Sequence, residues 1–154
     1  MTGKAVFRRA GTRDIAALTG LVVRSKASNG YSDEFMQAFT PELIIRPELL
    51  QAGEIWVCEV GGSMAGLLHV VCDGEVAELE AMFVEPAWKG QGLGRQMFDF
   101  AEMRFRALGA DAVELDADPF AVGFYEAMGC TLIGHTPSSS IPGRMLPRMR
   151  KTLQ

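Results

Sequence analysis

A strand that runs into a glycine loop and then a helix start is the feature that most constrains this chain. Residues 78–95 read ELEAMFVEPAWKGQGLGR. The apolar residues up to Val84 predict a strand that stops at Pro86, and the glycines at positions 90, 92 and 94 predict a tight loop. Backbone amides of such a loop, joined to the positive end of a helix, form a site for a phosphate group. The stretch therefore predicts that the chain binds a phosphorylated ligand.

The spacing of the glycines separates three kinds of phosphate-binding loop. A Walker loop ends in Gly-Lys-Ser or Gly-Lys-Thr, and the sequence contains neither. The dinucleotide fingerprint Gly-x-Gly-x-x-Gly would need a glycine where the chain has Arg95, although Glu114 or Asp116 could serve as its acidic residue. The spacing that fits is Lys89-x-x-Gly92-x-Gly94 after a strand. A dinucleotide-binding domain is therefore disfavoured.

Two motifs taken together resemble the GNAT superfamily of acyl-CoA-dependent N-acyltransferases. The first is Lys89-x-x-Gly92-x-Gly94, which is similar to the family signature Arg/Gln-x-x-Gly-x-Gly/Ala, with lysine in the first position. The second is the segment 123–130, GFYEAMGC, which is similar to the family's Phe-Tyr-x-x-x-Gly-Phe, with Cys130 in place of the last aromatic residue. The resemblance covers residues 7–151 and is strongest over residues 79–134.

The order of the predicted elements indicates an α/β domain. Helices are predicted to begin at Thr12 and Ser32 and to cover residues 93–108 and 121–128. The predicted strands are residues 5–9, 54–59, 64–72, 76–84, 112–115, 131–135 and 145–152. This order predicts a central mixed, largely antiparallel sheet flanked by helices. The resemblance implies the GNAT fold, splayed between the strands near 76–84 and 112–115, and the length predicts a single domain over residues 1–154.

Acyl transfer from a thioester to an amine needs a base, support for the carbonyl oxygen and a proton for the thiolate. Strand alternation predicts that Glu78 and Glu80 share a face with Met82 and Val84, with the intervening apolar residues on the other face. Either glutamate could be the base, and the resemblance favours Glu78. It also implies that the backbones of Met82 and Val84 bind the acyl oxygen and that Tyr125 protonates the thiolate.

The resemblance assigns the coenzyme A moiety of acetyl-CoA to the strand end, the glycine loop and the start of the following helix. The backbone amides would supply most of the contacts, and Lys89 and Arg95 would add charge-assisted ones. The expected cofactor-binding residues are Met82, Phe83, Val84, Lys89, Gly90, Gln91, Gly92, Leu93, Gly94, Arg95 and Phe124. Asp118-Pro119-Phe120 departs from the commoner Asp-Pro-Asn, which puts one contact with coenzyme A in doubt.

The sequence evidence for acceptor-binding residues is weaker than that for the coenzyme-binding motifs. Tyr31 and Phe35 lie in the region that forms the acceptor wall in related folds, although their helical spacing suits a core equally well. The polar loop of residues 138–144 contains Ser140 and Arg144, and loops of this kind often carry function. We expect Arg144 to bind a carboxylate or phosphate of the acceptor.

Composition and charge limit the partners. The net charge of −4 argues against nucleic acid, and no apolar run approaches the ~20 residues that span a bilayer. Residues 1–13 lack the apolar core of a signal peptide, and the three cysteines lack the spacing of metal ligands. We therefore expect a cytoplasmic protein without metal, nucleic acid or membrane partners, and the family habit makes a homodimer plausible.

The resemblance implies an acetyl-CoA-dependent N-acetyltransferase that moves an acetyl group directly to a primary amine through a ternary complex. The amine would belong to a small molecule, a peptide or a protein. The alternative is a non-catalytic acyl-CoA-binding sensor or regulatory module, which would keep the glycine loop and would not need Glu78, Glu80 or Tyr125.

Overall fold

A computed structural model describes residues 4–153; the remaining ends of the predicted domain, residues 1–3 and 154, lie outside the described residues. Within residues 4–153 the chain forms one seven-stranded sheet in the order β1-β2-β3-β4-β5-β7-β6. This described part also contains four α-helices: α1 (Ile15–Ala27), α2 (Asp33–Leu43), α3 (Leu93–Ala107) and α4 (Val122–Ala127). The strands are β1 (Val6–Arg9), β2 (Glu54–Val60), β3 (Ser63–Cys72), β4 (Val76–Val84), β5 (Ala112–Asp116), β6 (Thr131–Pro137) and β7 (Met145–Thr152).

The predicted mixed, largely antiparallel α/β sheet is confirmed. Within residues 4–153 every strand pair is antiparallel except β4 with β5, which are joined through α3. A parallel pair needs a crossover of this kind, since a tight turn returns the chain antiparallel. None of the helices in this part of the chain is long and apolar enough to cross a bilayer.

Two hydrophobic cores cover the two faces of the sheet. On one face, α1 and α2 pack Leu18, Val22 and Phe39 against β2 and β3. On the other face, α3 buries the apolar stripe that its sequence period predicts, including Phe98 and Phe105, both fully buried. Since β4 crosses the middle of the sheet, its residues contribute to both cores.

A β-bulge interrupts β4 at Glu80. His69 of β3 pairs with Ala81, and the next pair joins Val70 to Leu79, so Glu80 has no partner across the strand. An extra residue of this kind bends the strand and shifts its alternation by one.

The bulge overturns the predicted faces of β4. Leu79, before the bulge, packs in the same core as Met82 and Val84, which follow it. Ala81 and Phe83 pack in the opposite core. The expected alternation, with Leu79 opposite to Met82 and Val84, is wrong because it assumed an uninterrupted strand.

Arg8 and Asp14 connect β1 to the start of α1. Both terminal nitrogens of Arg8 donate to the Asp14 carboxylate at 2.9 Å, and the backbone amide of Gly11 donates to it at 2.8 Å. Asp14 is buried, and the hydrogen bonds from Arg8 lower the pKa of its carboxyl from 3.8 to about 2. The pair therefore stabilises the folded chain only while Asp14 is ionised.

Asp14→Asn should lower the free energy of unfolding at neutral pH by about 2 kcal/mol, the equivalent of the shift in pKa. Because the folded pKa lies below the ordinary value, this stabilisation is present above pH 3.8 and is lost as the pH falls through about 2. Urea unfolding of both proteins over this range should show the difference shrinking. Asp73→Asn, at an exposed turn, is the control, and a difference that does not change with pH would contradict the assignment.

Candidate functional site

β4 and β5 pair over three residues and then part. The parallel ladder joins Val76 to Ala112, Ala77 to Val113 and Glu78 to Glu114. β4 then continues to Val84, whereas β5 ends at Asp116 and pairs along its whole length with β7 on its other edge. The edge of β4 beyond Glu78 therefore has no strand partner on the β5 side within the described residues. Its amides and carbonyls are available to an extended ligand, as at other open sheet edges.

A cleft of about 860 Å³ occupies the opening between the two strands. Its walls include residues 79–84 of β4, and both Glu80 and Tyr125 of the predicted catalytic set. Of the predicted cofactor-binding residues, nine line it: Met82, Phe83, Val84, Lys89, Gly90, Gly92, Gly94, Arg95 and Phe124. Sequence motifs far apart in the chain are thus brought to one cavity of the size that small ligands occupy.

Gln91 and Leu93 do not line the cleft, although both belong to the predicted cofactor set. The Leu93 side chain is fully buried in the core beneath the loop. The side-chain amide of Gln91 donates to the Ala87 carbonyl at 3.0 Å. Both residues therefore hold the shape of the loop from outside the cavity.

The glycine loop presents the start of α3 to the cleft. Gly90 and Gly92 have φ angles of +77° and +82°, a region that side chains other than glycine rarely adopt. Gly92 is the N-cap residue of α3, so the first amides of the helix lack carbonyl partners within it. Arg95 is exposed beside them and forms no ion pair with any residue in 4–153. This arrangement suits a phosphate group.

Gly94 has a different role, because its φ angle is ordinary. A Cβ atom at this position would lie 3.0 Å from Cε1 of Phe124, closer than side chains normally approach. The missing side chain lets α4 pack against the first turn of α3. The two sequence motifs, 89–94 and 123–130, therefore meet through the contact of Gly94 with Phe124.

Lys89 connects the glycine loop to the end of α1. Its ammonium donates to the Ser25 carbonyl at 3.1 Å and to the Ser28 hydroxyl at 2.5 Å. The C-terminal end of a helix favours a cation, and burial lowers the pKa of Lys89. Its charge is therefore engaged by the protein at the rim of the cleft.

The two candidate bases have different surroundings. The Glu78 carboxylate accepts two hydrogen bonds from Arg148, at 2.6 and 2.7 Å, and does not line the cleft. Burial raises the pKa of Glu78, and Arg148 offsets part of this effect. Glu80, in the bulge, is exposed and lies on the cleft wall.

Tyr125 lies on the opposite wall and is 7% exposed. Its ring contacts those of Phe98 and Phe124, with centroids 6.0 and 5.2 Å away. Burial raises the pKa of Tyr125 well above 10, so the hydroxyl keeps its proton at neutral pH. No residue in 4–153 forms a hydrogen bond with this hydroxyl, which therefore has a proton to donate.

The predicted acceptor residues Tyr31, Phe35, Ser140 and Arg144 do not line the cleft. Tyr31 and Arg144 instead belong to a hydrogen-bonded network that reaches the cleft wall through Asp118. The Tyr31 hydroxyl donates to Asp118 Oδ2 at 2.8 Å and accepts from Arg144 at 2.5 Å. Burial and the bond to Asp118 raise the pKa of Tyr31 to about 12.

Lys26 completes this network, which we call the Tyr31 network: Lys26, Tyr31, Asp118 and Arg144. Its ammonium donates to Asp118 Oδ2 at 2.8 Å. Burial alone would raise the pKa of Asp118, but the hydrogen bonds from Lys26, Phe120 and Tyr31 bring it below its usual value. The network joins α1, the loop after β5 and the loop between β6 and β7.

Sequence reasoning missed several residues of the cleft wall. Lys26, Glu42, Trp88, Asp118 and Ser139 all line the cleft. The Ser139 hydroxyl donates to Glu42 at 2.7 Å, which holds the β6–β7 loop against α2. Trp88, Asp118 and Ser139 lie in segments that the sequence analysis singled out, although no role was assigned to these side chains, and Lys26 and Glu42 belong to no motif.

An open strand edge lies beside the start of α3, an arrangement that suits an extended, phosphorylated ligand. The sequence model of the acetyltransferase (GNAT) domain matches residues 21–153. The chain therefore belongs to the GNAT family of acetyltransferases. No curated protein matches its sequence.

Solved structures share the fold at low sequence identity. A GCN5-related N-acetyltransferase from Rhodopseudomonas palustris has a TM-score of 0.82 at 20% identity, over 99% of this chain and 98% of its own. The PaiA N-acetyltransferase from Thermoplasma acidophilum, solved in complex with coenzyme A, has a TM-score of 0.79 at 16% sequence identity. The match covers 97% of this chain and 99% of the PaiA chain. YncA from Salmonella typhimurium, solved with its cofactor acetyl-CoA, has a TM-score of 0.69 at 19% sequence identity. The match covers 99% of this chain and 95% of the YncA chain.

Tyr31→Phe tests the Tyr31 network. The substitution leaves Asp118 and Arg144 without their shared hydroxyl, and should lower the free energy of unfolding by about 2 kcal/mol, as for other bonds to charged groups. Hydrogen exchange of the amides in 138–144 should become faster. Tyr125→Phe, at the chain's other tyrosine, is the matched control and should leave this loop unchanged. Equal exchange in wild type and Tyr31→Phe would show that the network does not hold the loop.

Proposed function

We propose that this protein is an acetyl-CoA-dependent N-acetyltransferase that transfers an acetyl group directly to a primary amine. The observation that carries the proposal is the unpaired edge of β4, which leads along the cleft to the start of α3. The extended arm and the pyrophosphate of coenzyme A need these two features in this order. That two structures of the same fold were solved with coenzyme A or acetyl-CoA supports the assignment.

The chain has groups suited to each part of the ligand. The backbone of residues 82–84 would bind the pantetheine arm as an added strand would. The amides of the glycine loop and the first turn of α3 would bind the pyrophosphate, with Arg95 adding a charge. Acetyl-CoA would supply the activated acetyl group as a thioester.

We propose Glu80 rather than Glu78 as the base. Glu80 faces the cleft from the bulge, whereas Glu78 is held by Arg148 outside it. Glu80 would take a proton from the amine, directly or through water, while the amine nitrogen forms its bond to the acetyl carbon. Tyr125 would give its proton to the thiolate as the carbon–sulfur bond breaks, since it is protonated and lines the same cleft.

The acceptor would enter from the side of Glu42 and Ser139, opposite the glycine loop. We propose that Arg144 acts here by positioning: its guanidinium bonds Tyr31 and lies 5.2 Å from the centre of the Phe39 ring. A direct bond from Arg144 to an acceptor carboxylate stays a prediction, and Tyr31, Phe35 and Ser140 would support the wall from behind.

We assign the activity to one domain, residues 1–154, in the cytoplasm. Sedimentation would test whether the protein forms a homodimer.

Calorimetry with acetyl-CoA tests the binding half of the proposal. Wild type should bind it, and Gly94→Ala should weaken binding by about tenfold or more, since the new methyl group pushes Phe124 or the first turn of α3 out of place. Gly123→Ala is the matched control, because its added methyl group meets no atom within 4 Å. Undetectable binding by wild type would overturn the proposal.

Thiol release with a panel of primary amines tests transfer, and Glu80→Gln tests the base. Glu80→Gln should lower kcat by about 10²–10⁴ while leaving acetyl-CoA affinity within a few-fold, because only the proton acceptor is lost. Glu78→Gln is the matched control: it weakens the bond to Arg148 and should cost stability more than kcat. If Glu78→Gln lost activity and Glu80→Gln kept it, the assignment would be reversed. If acetyl-CoA bound tightly and no amine reacted, the sensor alternative would gain support.

A further inference from the structure

A second, smaller pocket lies behind β4 on the side of α1 and α2. Its volume is about 210 Å³. It shares part of its wall with the large cleft, namely Glu42, Leu43, Glu80, Ala81 and Phe83. The two cavities therefore adjoin at the bulge, where the proposed base lies.

The interior of this pocket is apolar. Val22, Ile45, Leu49, Ile55 and Leu67 supply aliphatic walls from four different elements of the chain. None of its lining residues is a lysine or arginine. Such a lining favours an apolar group, and a site without basic side chains does not select an anion.

The polar groups of the small pocket lie where it meets the cleft, with one exception. Glu42 and Glu80 line both cavities, so two carboxylates border the junction. The exception is His69, whose Nε2 lies 2.5 Å from the Ala52 carbonyl and is engaged there. A ligand in this pocket would therefore have its apolar part inside and its cationic part at the junction.

We propose that this pocket receives the side chain of the acceptor, and that the substrates are primary amines with an aliphatic or phenyl group next to the amine. The inference rests on the proposed function and adds the substrate class. With the apolar group in the pocket, the amine nitrogen would lie at the junction, close to Glu80 and to the thioester in the cleft.

The volume of the small pocket limits the size of the apolar group that it can hold. An engineered apolar cavity of about 150 Å³ binds benzene, so about 210 Å³ admits a phenyl ring or a chain of roughly four or five carbons. Burial of each methylene contributes about fourfold to affinity. Pentylamine should therefore exceed ethylamine in kcat/KM by roughly 60-fold over three methylenes. Spermidine, which carries several charges, should be a poor substrate, because a second ammonium group inside the pocket would lie among aliphatic side chains, away from the carboxylates at the junction.

The experiment compares ethylamine, pentylamine, 2-phenylethylamine and spermidine by thiol release, with wild type and two variants. Leu49→Trp fills the pocket from a half-buried position, and should reduce the ratio of pentylamine to ethylamine to about fivefold or less while ethylamine still reacts. Leu50→Trp is the matched control. It makes the same change one residue further along, at a half-buried leucine that does not line the pocket, and should keep the wild-type ratio.

Calorimetry of the amines with the coenzyme-A-saturated protein separates the two proposals. Tighter binding of pentylamine than of ethylamine, lost in Leu49→Trp, supports the pocket even if no acetyl group is transferred, and in that case the proposed function fails alone. Turnover of ethylamine or spermidine as fast as pentylamine overturns the inference and leaves the proposed function intact. A ratio unchanged in Leu49→Trp also overturns it. If coenzyme A does not bind, the same titration of the free protein still decides whether the pocket takes the apolar amine.

Discussion

The parting of β4 from β5 is the constraint on which the rest of the site depends. A strand in the middle of a sheet normally satisfies its backbone groups on both sides. Here β4 does so only as far as Glu78, and beyond it the edge on the β5 side has no strand partner among residues 4–153. β5 pairs with β7 along its whole length on its other edge, and its ladder with β4 covers only three residues, so the opening follows from where the two strands separate.

The charges around Arg148 hold the sheet together at the point where it begins to part. Arg148 of β7 contacts Glu78 of β4, and Glu114 and Asp116 of β5. One guanidinium thus connects three neighbouring strands. Removal of one partner from such a network leaves charges without compensation, which is costly in a partly buried place. We therefore propose that Glu78 has a structural role in the sheet. Because it lies only two residues from Glu80, the sequence alone could not separate the roles of the two glutamates.

The sequence was sufficient for the architecture and for the position of the glycine loop before α3. Glycine spacing and the apolar period of α3 are local signals, and the elements that they predict lie within a few residues of the observed ones. The bulge at Glu80 has no such signal, because it depends on how β4 aligns with β3. The partners of Lys89 and Tyr31 also escaped prediction. Tyr31 and Arg144 are 113 residues apart, and their contact follows from the closed fold alone.

Glu80 lies where the two cavities meet. Ala81 and Phe83, which pair with β3 just after the bulge, also line both cavities, so the boundary runs along this end of β4. Side chains alternate between the faces of a regular strand, and the extra residue at position 80 interrupts this alternation. Ala81 and Phe83 carry no group that can accept a proton, whereas Glu80 carries a carboxylate. The proposed base therefore lies at the boundary between the proposed coenzyme side of the site and its acceptor side.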